Sequence, residues 1–554
     1  MNEEFSPSPR SEKKGGIMRP LLLGLGAALV VGGTVGGLFY FGVLGMTPQE
    51  KHAEAMAFLQ ADDTAQALPL LRESAEKAYA PAYFELGRCA AEGIGMAQDA
   101  AVALTHYQAA AGLGYAPAQS LLAACYESGT GTPADSAEAA RWYRAAAEQG
   151  DMESQYKTAL HCSTENQLEE AAGWYLAAAE QGHAAAAAAL AACYAHGTGV
   201  EQNAAEAVKW YRLAADKGVA DAQYALGLHC DEGMGVEQNA AEAVKCYQSA
   251  AAQGLASAQA ALAAHYAAGN GWEKNVAEAA KWYLLAAEQG HVEAQLCLGS
   301  LFATGAEGVD RNLAEAVKWL APLLEQCDPA VQLVVGQAYA TGDGLEKNPA
   351  EALRWLTPVA EKGNTEARYQ VAQLYAAGEG MEKNMTEAAR WYRAAADAGH
   401  AEALFHLGLL YAAGEGVEKN RAEAGKCFQA AAEQGGAEAQ FALGDRFANG
   451  NGIGRNMKEA ARWYRAAAEQ GHAGAAFSAG LMSANALGVE KNMAEAARLY
   501  TIAAEQGHAR AQFFLGLLYA NGDGVAADVE QARGWFTKAA AQGLSEAALL
   551  LEQL

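Results

Sequence analysis

The chain has 554 residues, 60 of them glycine, and a formal net charge of −26. Nucleic-acid phosphates are held by clustered lysine and arginine, so this charge balance predicts no nucleic-acid partner. The nine cysteines follow no C-x-x-C or Cys/His ligand spacing, and neither a zinc framework nor any other metal or cofactor is expected.

Residues 1–20 read as a short cytoplasmic tail carrying Arg10, Lys13, Lys14 and Arg19. Leu21–Met46 is then a run of 26 residues without a charged side chain, and about 20 apolar residues are enough for a helix to cross a bilayer. The run is longer than the apolar stretch of a signal peptide, and no convincing small-x-small cleavage site follows it. It therefore reads as a retained single-pass transmembrane helix over 21–46. Four positive residues precede it, while only Lys51 follows within some twenty residues. The positive-inside rule thus keeps the N-terminus in the cytoplasm and places everything after Met46 on the outer side, periplasmic or extracellular. Gly32/Gly36 and Gly33/Gly37 are small-xxx-small pairs, which offer Gly33 and Gly37 as the contact of a homodimer in the membrane.

Residues 47–79 predict a divergent helical cap. Ala53, Ala57, Leu68, Leu71 and Ala75 keep helical spacing on either side of Ala61-Asp62-Asp63-Thr64. From Ala80 to Leu544 one phrase of 36 residues restarts about thirteen times: A-x-A-Q-x-x-L-G-x-x-Y-x-x-G-x-G-V-x-x-N-x-x-E-A-x-x-W-Y-x-x-A-A-x-x-G. A fixed period of this size marks a solenoid, in which each unit buries its apolar face only against its neighbours.

In the unit from Ala220, helix A carries Ala222, Leu226 and Cys230 on one stripe, and Gly227 beside them leaves room for helix B. Gly233 supplies the left-handed stop. Asn239 with Glu242 then reads as a capping box, in which Asn accepts a helix N–H and Glu reaches back. The same pair recurs at Asn203/Glu206, Asn275/Glu278, Asn312/Glu315, Asn348/Glu351, Asn384/Glu387, Asn420/Glu423, Asn456/Glu459 and Asn492/Glu495, so these carboxylates are read as structural. The W-Y pair of helix B, such as Trp282-Tyr283 or Trp463-Tyr464, is read as core. Residues 545–554 predict a closing amphipathic helix.

On these residues the phrase resembles the Sel-one-like repeat (SLR) family, a relative of the tetratricopeptide repeat with a longer inter-helix loop. The resemblance spans residues 80–544. It implies an all-α, right-handed solenoid of about 13 helix pairs, with helix A lining the concave surface, and a scaffold or adaptor that binds protein or peptide partners. Three units depart from the phrase: residues 152–183 lack the G-x-G loop, residues 292–328 end Cys327-Asp328 where glycine is expected, and residues 473–508 place Ala486 at a loop glycine. Local kinks are expected there.

Some secreted, cysteine-rich relatives are described as penicillin-binding or as β-lactamases. S-x-x-K occurs here at Ser11–Lys14 and Ser154–Lys157, but the companion S-D-N and K-T-G motifs do not. No H-E-x-x-H or phosphate-binding glycine loop is present. His183, His291, His400, His472 and His508 all fall at inter-repeat turns. No catalytic residue is therefore assigned. The alternative readings are a cell-wall-directed penicillin binder and an adaptor of inverted topology facing the cytosol. Cys230 and Cys246 fall on the two helices of one unit, either as buried thiols or as a facing pair.

The candidate partner-binding residues form a row on helix A. The fifth residue of the unit is Phe84, Tyr156, Tyr224, Tyr369, Phe405, Phe441, Phe477 or Phe513, while Ala188 and Ala260 stand there in the middle of the chain. Phe405, Leu409, Phe441, Phe477, Leu481, Phe513, Phe514 and Leu517 make the densest stretch and predict a groove for a partner segment, with acidic rims favouring basic or neutral partners. The competing reading is that the rings wedge between neighbouring helices A and stiffen the stack.

Overall fold

The computed structural model describes residues 45–380 and 382–553. These residues are helical almost throughout, and the β-interaction among them is an isolated bridge between Ala306 and Val309. The charge-free run at 21–46, with Gly33 and Gly37, lies outside the described residues except for Gly45 and Met46, which are not helical. Among the described residues no helix is long and apolar enough to cross a membrane.

The chain divides into two units, residues 1–246 and 247–554. In the first, the helix pair Pro48–Gln60 and Thr64–Ala75 precedes alternating helices A and B that begin with Ala80–Glu92 and Ala100–Gly112. The second continues the alternation from Ala256–Ala268 and Val276–Glu288 to the short helix Ser545–Leu551. That last helix buries Ala547 and leaves Leu549 59% exposed.

The repeat from Ala437 shows why the phrase folds as it does. Helix A, Ala437–Asn449, buries Ala439 and Leu443. Helix B, Met457–Glu469, buries Ala460, Ala461, Trp463, Tyr464, Ala467 and Ala468. A Cβ on Gly444 would lie 2.7 Å from Cδ1 of Tyr464, so the Leu-Gly dipeptide is what lets the buried tyrosine ring lie against helix A. Gly450 closes helix A at φ +73°. Gly452, at φ +82°, has a second reason: its Cβ would stand 2.1 Å from the carbonyl oxygen of Arg421, at the start of the previous helix B. The G-x-G loop is thus a contact between repeats as well as a turn.

The Asn/Glu boxes form by half. Each asparagine accepts from the start of its helix, as Asn456 does from the Lys458 and Glu459 N–H groups at 3.1 and 3.2 Å, worth about 1 kcal/mol per cap. The expected return bond from glutamate is replaced. The Asn456 N–H already donates to the Phe447 carbonyl of helix A at 2.9 Å, and Asn203, Asn275 and Asn420 donate in the same way to Tyr194, Tyr266 and Tyr411. With that donor engaged, Glu459 turns to Arg462 at 3.3 Å, as Glu278 does to Lys281 and Glu423 to Lys426. The full reciprocal box appears at Thr47/Glu50, where the first described helix begins.

The glutamine of A-x-A-Q ties successive helices together. Gln440 is 6% exposed. Its amide donates to the Ala432 carbonyl of the preceding helix B at 3.3 Å and accepts from Gln470, in the Glu-Gln-Gly turn, at 2.9 Å. Gln119/Gln149, Gln155/Gln181, Gln259/Gln289 and Gln512/Gln542 repeat the bond at 2.7 to 2.8 Å. A buried amide needs such partners, because an unmet one costs roughly 1–3 kcal/mol.

The irregular units resolve locally. Asn166 and Ala486 take φ of +62° and +58° without a glycine. In residues 292–328, helix B is α-helical only over Leu313–Leu320 and continues as a 3-10 turn, Ala321–Gln326, with Leu323 outside helical geometry. Pro322 has no N–H for the Lys318 carbonyl. Pro358 sits inside an intact α-helix in the next repeat, so the break also follows from Cys327-Asp328-Pro329 replacing the glycine turn. All nine cysteines are free thiols, Cys230 and Cys246 included. Burial, then nearby Cys230 and Glu242, pushes the Cys246 thiol up to about 11.

Candidate partner-binding surface

Helix A has two kinds of apolar position, and they behave differently. The fifth-position rings are half-buried and packed between elements. Phe441 lies 5.7 Å from Tyr464 of its own helix B and 4.4 Å from His472, which opens the next helix A. Phe477 meets Tyr500 and His508 in the same way, at 5.9 and 4.5 Å. Tyr156/His183 and Tyr369/His400 stack at 4.4 Å. Phe405 contacts Phe428 at 5.6 Å and Phe513 contacts Phe536 at 5.9 Å; Gly436 and Leu544 stand where the others have histidine. Phe514, one residue further on, lies 5.9 Å from Phe477 and is stacked 5.7 Å from Tyr500.

At the ninth position one leucine is open and two are half-covered. Leu409 is 42% exposed. Leu481 and Leu517 are half-buried at the edges of neighbouring core clusters. The eight predicted residues therefore share helices A but not one environment: rings underneath, leucines above.

The inter-repeat histidines are caps. Nδ1 of His472 accepts from the Ala475 N–H at 3.0 Å, and His183, His400 and His508 cap Ala186, Ala403 and Ala511 at 3.1 to 3.2 Å. Accepting at Nδ1 places the proton of the neutral ring on Nε2, which in His183 and His472 faces Glu153 and Glu438 at 3.1 Å. His508 lacks such a carboxylate because Gly474 occupies the place of Glu438. Burial, with Arg510 nearby, holds its pKa below 6.5.

The loops beside this face carry a ladder of ion pairs. Arg311 reaches Asp343 of the next repeat at 2.9 Å, and Lys347 likewise reaches Glu379. Sequence reasoning missed the histidine caps and the glutamine ties. Both recur in many of the repeats, His183, His291, His400, His472 and His508 among them, but with no donor or acceptor in view.

Paired helices A and B, tied to neighbouring repeats by recurrent glutamine, histidine and loop-glycine contacts within each unit, define a helical-repeat protein. The chain belongs to the Sel1 repeat family, whose repeats match residues 80–115, 116–151, 153–183, 184–219, 220–255, 256–291, 292–325, 329–364, 365–400, 401–436, 437–472, 473–508 and 509–544. Among solved structures it is similar to c5321, a protective antigen present in uropathogenic Escherichia coli strains and displaying an SLR fold, with 30% identity over 88% of this chain and 94% of that one and a TM-score of 0.38. It is also similar to a Sel1 repeat protein from Oxalobacter formigenes, with 31% identity over 56% of this chain and 89% of that one and a TM-score of 0.46. A search of curated proteins returns no match. Sel1 repeat solenoids are generally scaffolds for protein–protein interaction.

Proposed function

We propose that this protein is a membrane-anchored scaffold that captures a protein partner on the exposed side of its helices A. The observation that supports the reading is Leu409, 42% exposed at the ninth position of its helix A, with half-buried Leu481 and Leu517 at the same position two and three repeats on and Asp445, which accepts from the Tyr464 hydroxyl, in the repeat between. Leucines held on rigid helices bury apolar area on binding at low entropic cost. The rings beneath them fix the spacing of the helices. The anchor is the charge-free run 21–46, which tethers the repeats on the outer side of the membrane, with Gly33 and Gly37 as a contact between two copies.

Leu409→Glu with Leu517→Glu leaves the stacked rings in place and removes the apolar row. The double variant is expected to retain wild-type circular dichroism and to lose a partner that the wild-type chain retains after crosslinking and purification from membranes. Undiminished retention refutes the surface. Protease added to intact spheroplasts, with a C-terminal tag as readout, is expected to remove the tag. A tag protected until detergent is added refutes the topology.

A further inference from the structure

Three residues before Leu409, and so on the same face of helix A Ala401–Ala413, stands the half-buried His406. Its ring lies nearly flat on Tyr392 of the preceding helix B, with centroids 5.2 Å and planes 16° apart, and 5.9 Å from Tyr369 of the preceding helix A. Phe514 holds the same place three repeats on, where it stacks 5.7 Å from Tyr500 at 22° and lies 5.9 Å from Phe477. An imidazole and a phenyl ring are thus seated alike, each on a buried tyrosine. A seat that phenylalanine fills suits an uncharged ring.

Only the histidine can change its charge there. Glu402, one turn earlier, favours the charged ring, and His400 opposes it. His400 itself lies between Glu402 at 3.3 Å and Glu366 of the preceding helix A at 3.4 Å. The hydroxyls of Tyr369 and Tyr392 are pushed up by burial and stay neutral throughout the acid range. Burial of the His406 ring outweighs Glu402 and holds its pKa below 6.5.

We infer that His406 is an acid-sensitive gate in the partner surface: a protein that lays an apolar segment over Leu409 also covers this ring, binds while the ring is neutral and leaves when acid charges it. The inference rests on Leu409 being a partner contact and adds the regulation of that contact. Covering the ring removes the water that would solvate its charged form, so the neutral form binds more tightly. The free surface therefore holds more protons than the covered one in acid. Binding is complete at neutral pH and weakens as pH falls through the pKa of the free surface, by at most about ten-fold per pH unit because one proton is taken up.

The test is photo-crosslinking from benzoylphenylalanine at Leu409 of the full chain, in membranes held at pH 7.5 and at pH 5.0. Adduct yield is expected to fall several-fold at pH 5.0. With His406→Phe, which puts at this seat the residue already accommodated at Phe514, the yield is expected to be equal at the two pH values. An adduct of equal yield at both pH values without the substitution overturns the gate and leaves the surface standing. An equal loss with and without His406→Phe overturns it too, since the titrating group then lies elsewhere. No adduct at pH 7.5 from either chain overturns the partner surface, and the gate with it.

Discussion

Glycine to alanine at two helical positions in adjacent repeats should change stability in opposite directions. In a helix interior the substitution is favoured by about 0.5–1 kcal/mol, through the lower entropy of the unfolded chain. At Gly534, in helix B Val529–Ala541, an added Cβ meets nothing within 4 Å, so the full gain is expected. At Gly480 the same atom would stand 2.6 Å from Cε1 and 2.7 Å from Cδ1 of Tyr500. That ring is 1% exposed and is stacked against Phe514, so it has nowhere to move. Overpacking of this kind costs about 1–3 kcal/mol, which exceeds the propensity gain and leaves a net loss of about 1 kcal/mol. Urea unfolding followed by circular dichroism should order the variants Gly534→Ala, wild type, Gly480→Ala, from most to least stable. Hydrogen exchange should locate the Gly480→Ala loss within residues 473–508. Tyr500→Leu combined with Gly480→Ala should recover most of the clash, giving a favourable coupling energy. A Gly480→Ala variant as stable as Gly534→Ala would refute the reasoning that the helix A glycine exists to admit the helix B ring.

The glutamine ties predict a gain as well as a loss. Gln470→Ala strands the buried Gln440 Oε1 and should lower hydrogen-exchange protection in residues 437–472 by about 1–3 kcal/mol. Gln332 is fully buried with Oε1 unpartnered, and the place of the donating glutamine is taken by Lys362, so Lys362→Gln should raise the urea midpoint by an amount equivalent to about 1 kcal/mol. At His508 burial favours the neutral ring, so below pH 6.5 the unfolded chain binds more protons there than the folded one. The stability this site contributes is therefore complete above pH 6.5 and declines as pH falls through the depressed folded value. Asn364 holds the equivalent cap without a titrating group, accepting from the Ala367 N–H at 2.9 Å. His508→Asn should accordingly narrow the difference in urea midpoint between pH 7.5 and pH 5.5, and an unchanged difference would remove His508 as its source.

Much of this fold was legible because the phrase repeats. The buried alanines, the helix B tyrosine, the glycine opposite it and the left-handed helix stop are each dictated by period and residue size, and Tyr464, Gly444 and Gly450 stand as that logic requires. The capping glutamates were only half legible, since the competitor for the Asn456 N–H is a carbonyl of the preceding helix, which no local spacing reveals. In sequence the fifth-position rings read position by position as wedges, with a groove sought in the dense run from Phe405 to Leu517. The contacts of Phe441 with His472 and of Phe477 with His508 depend on a residue 31 positions away, across a repeat boundary.

The central claim is that the outward side of helices A is what this chain offers to a partner. Photo-crosslinking in membranes tests it most directly, with benzoylphenylalanine placed at Leu409 or Leu517 on helices A and at Lys426 or Arg498 on helices B, whose side chains are 73% and 50% exposed. Adducts of one common mass from the two helix A positions and none from helix B are predicted. Adducts from Lys426 or Arg498 instead, or from all four positions alike, would contradict the claim.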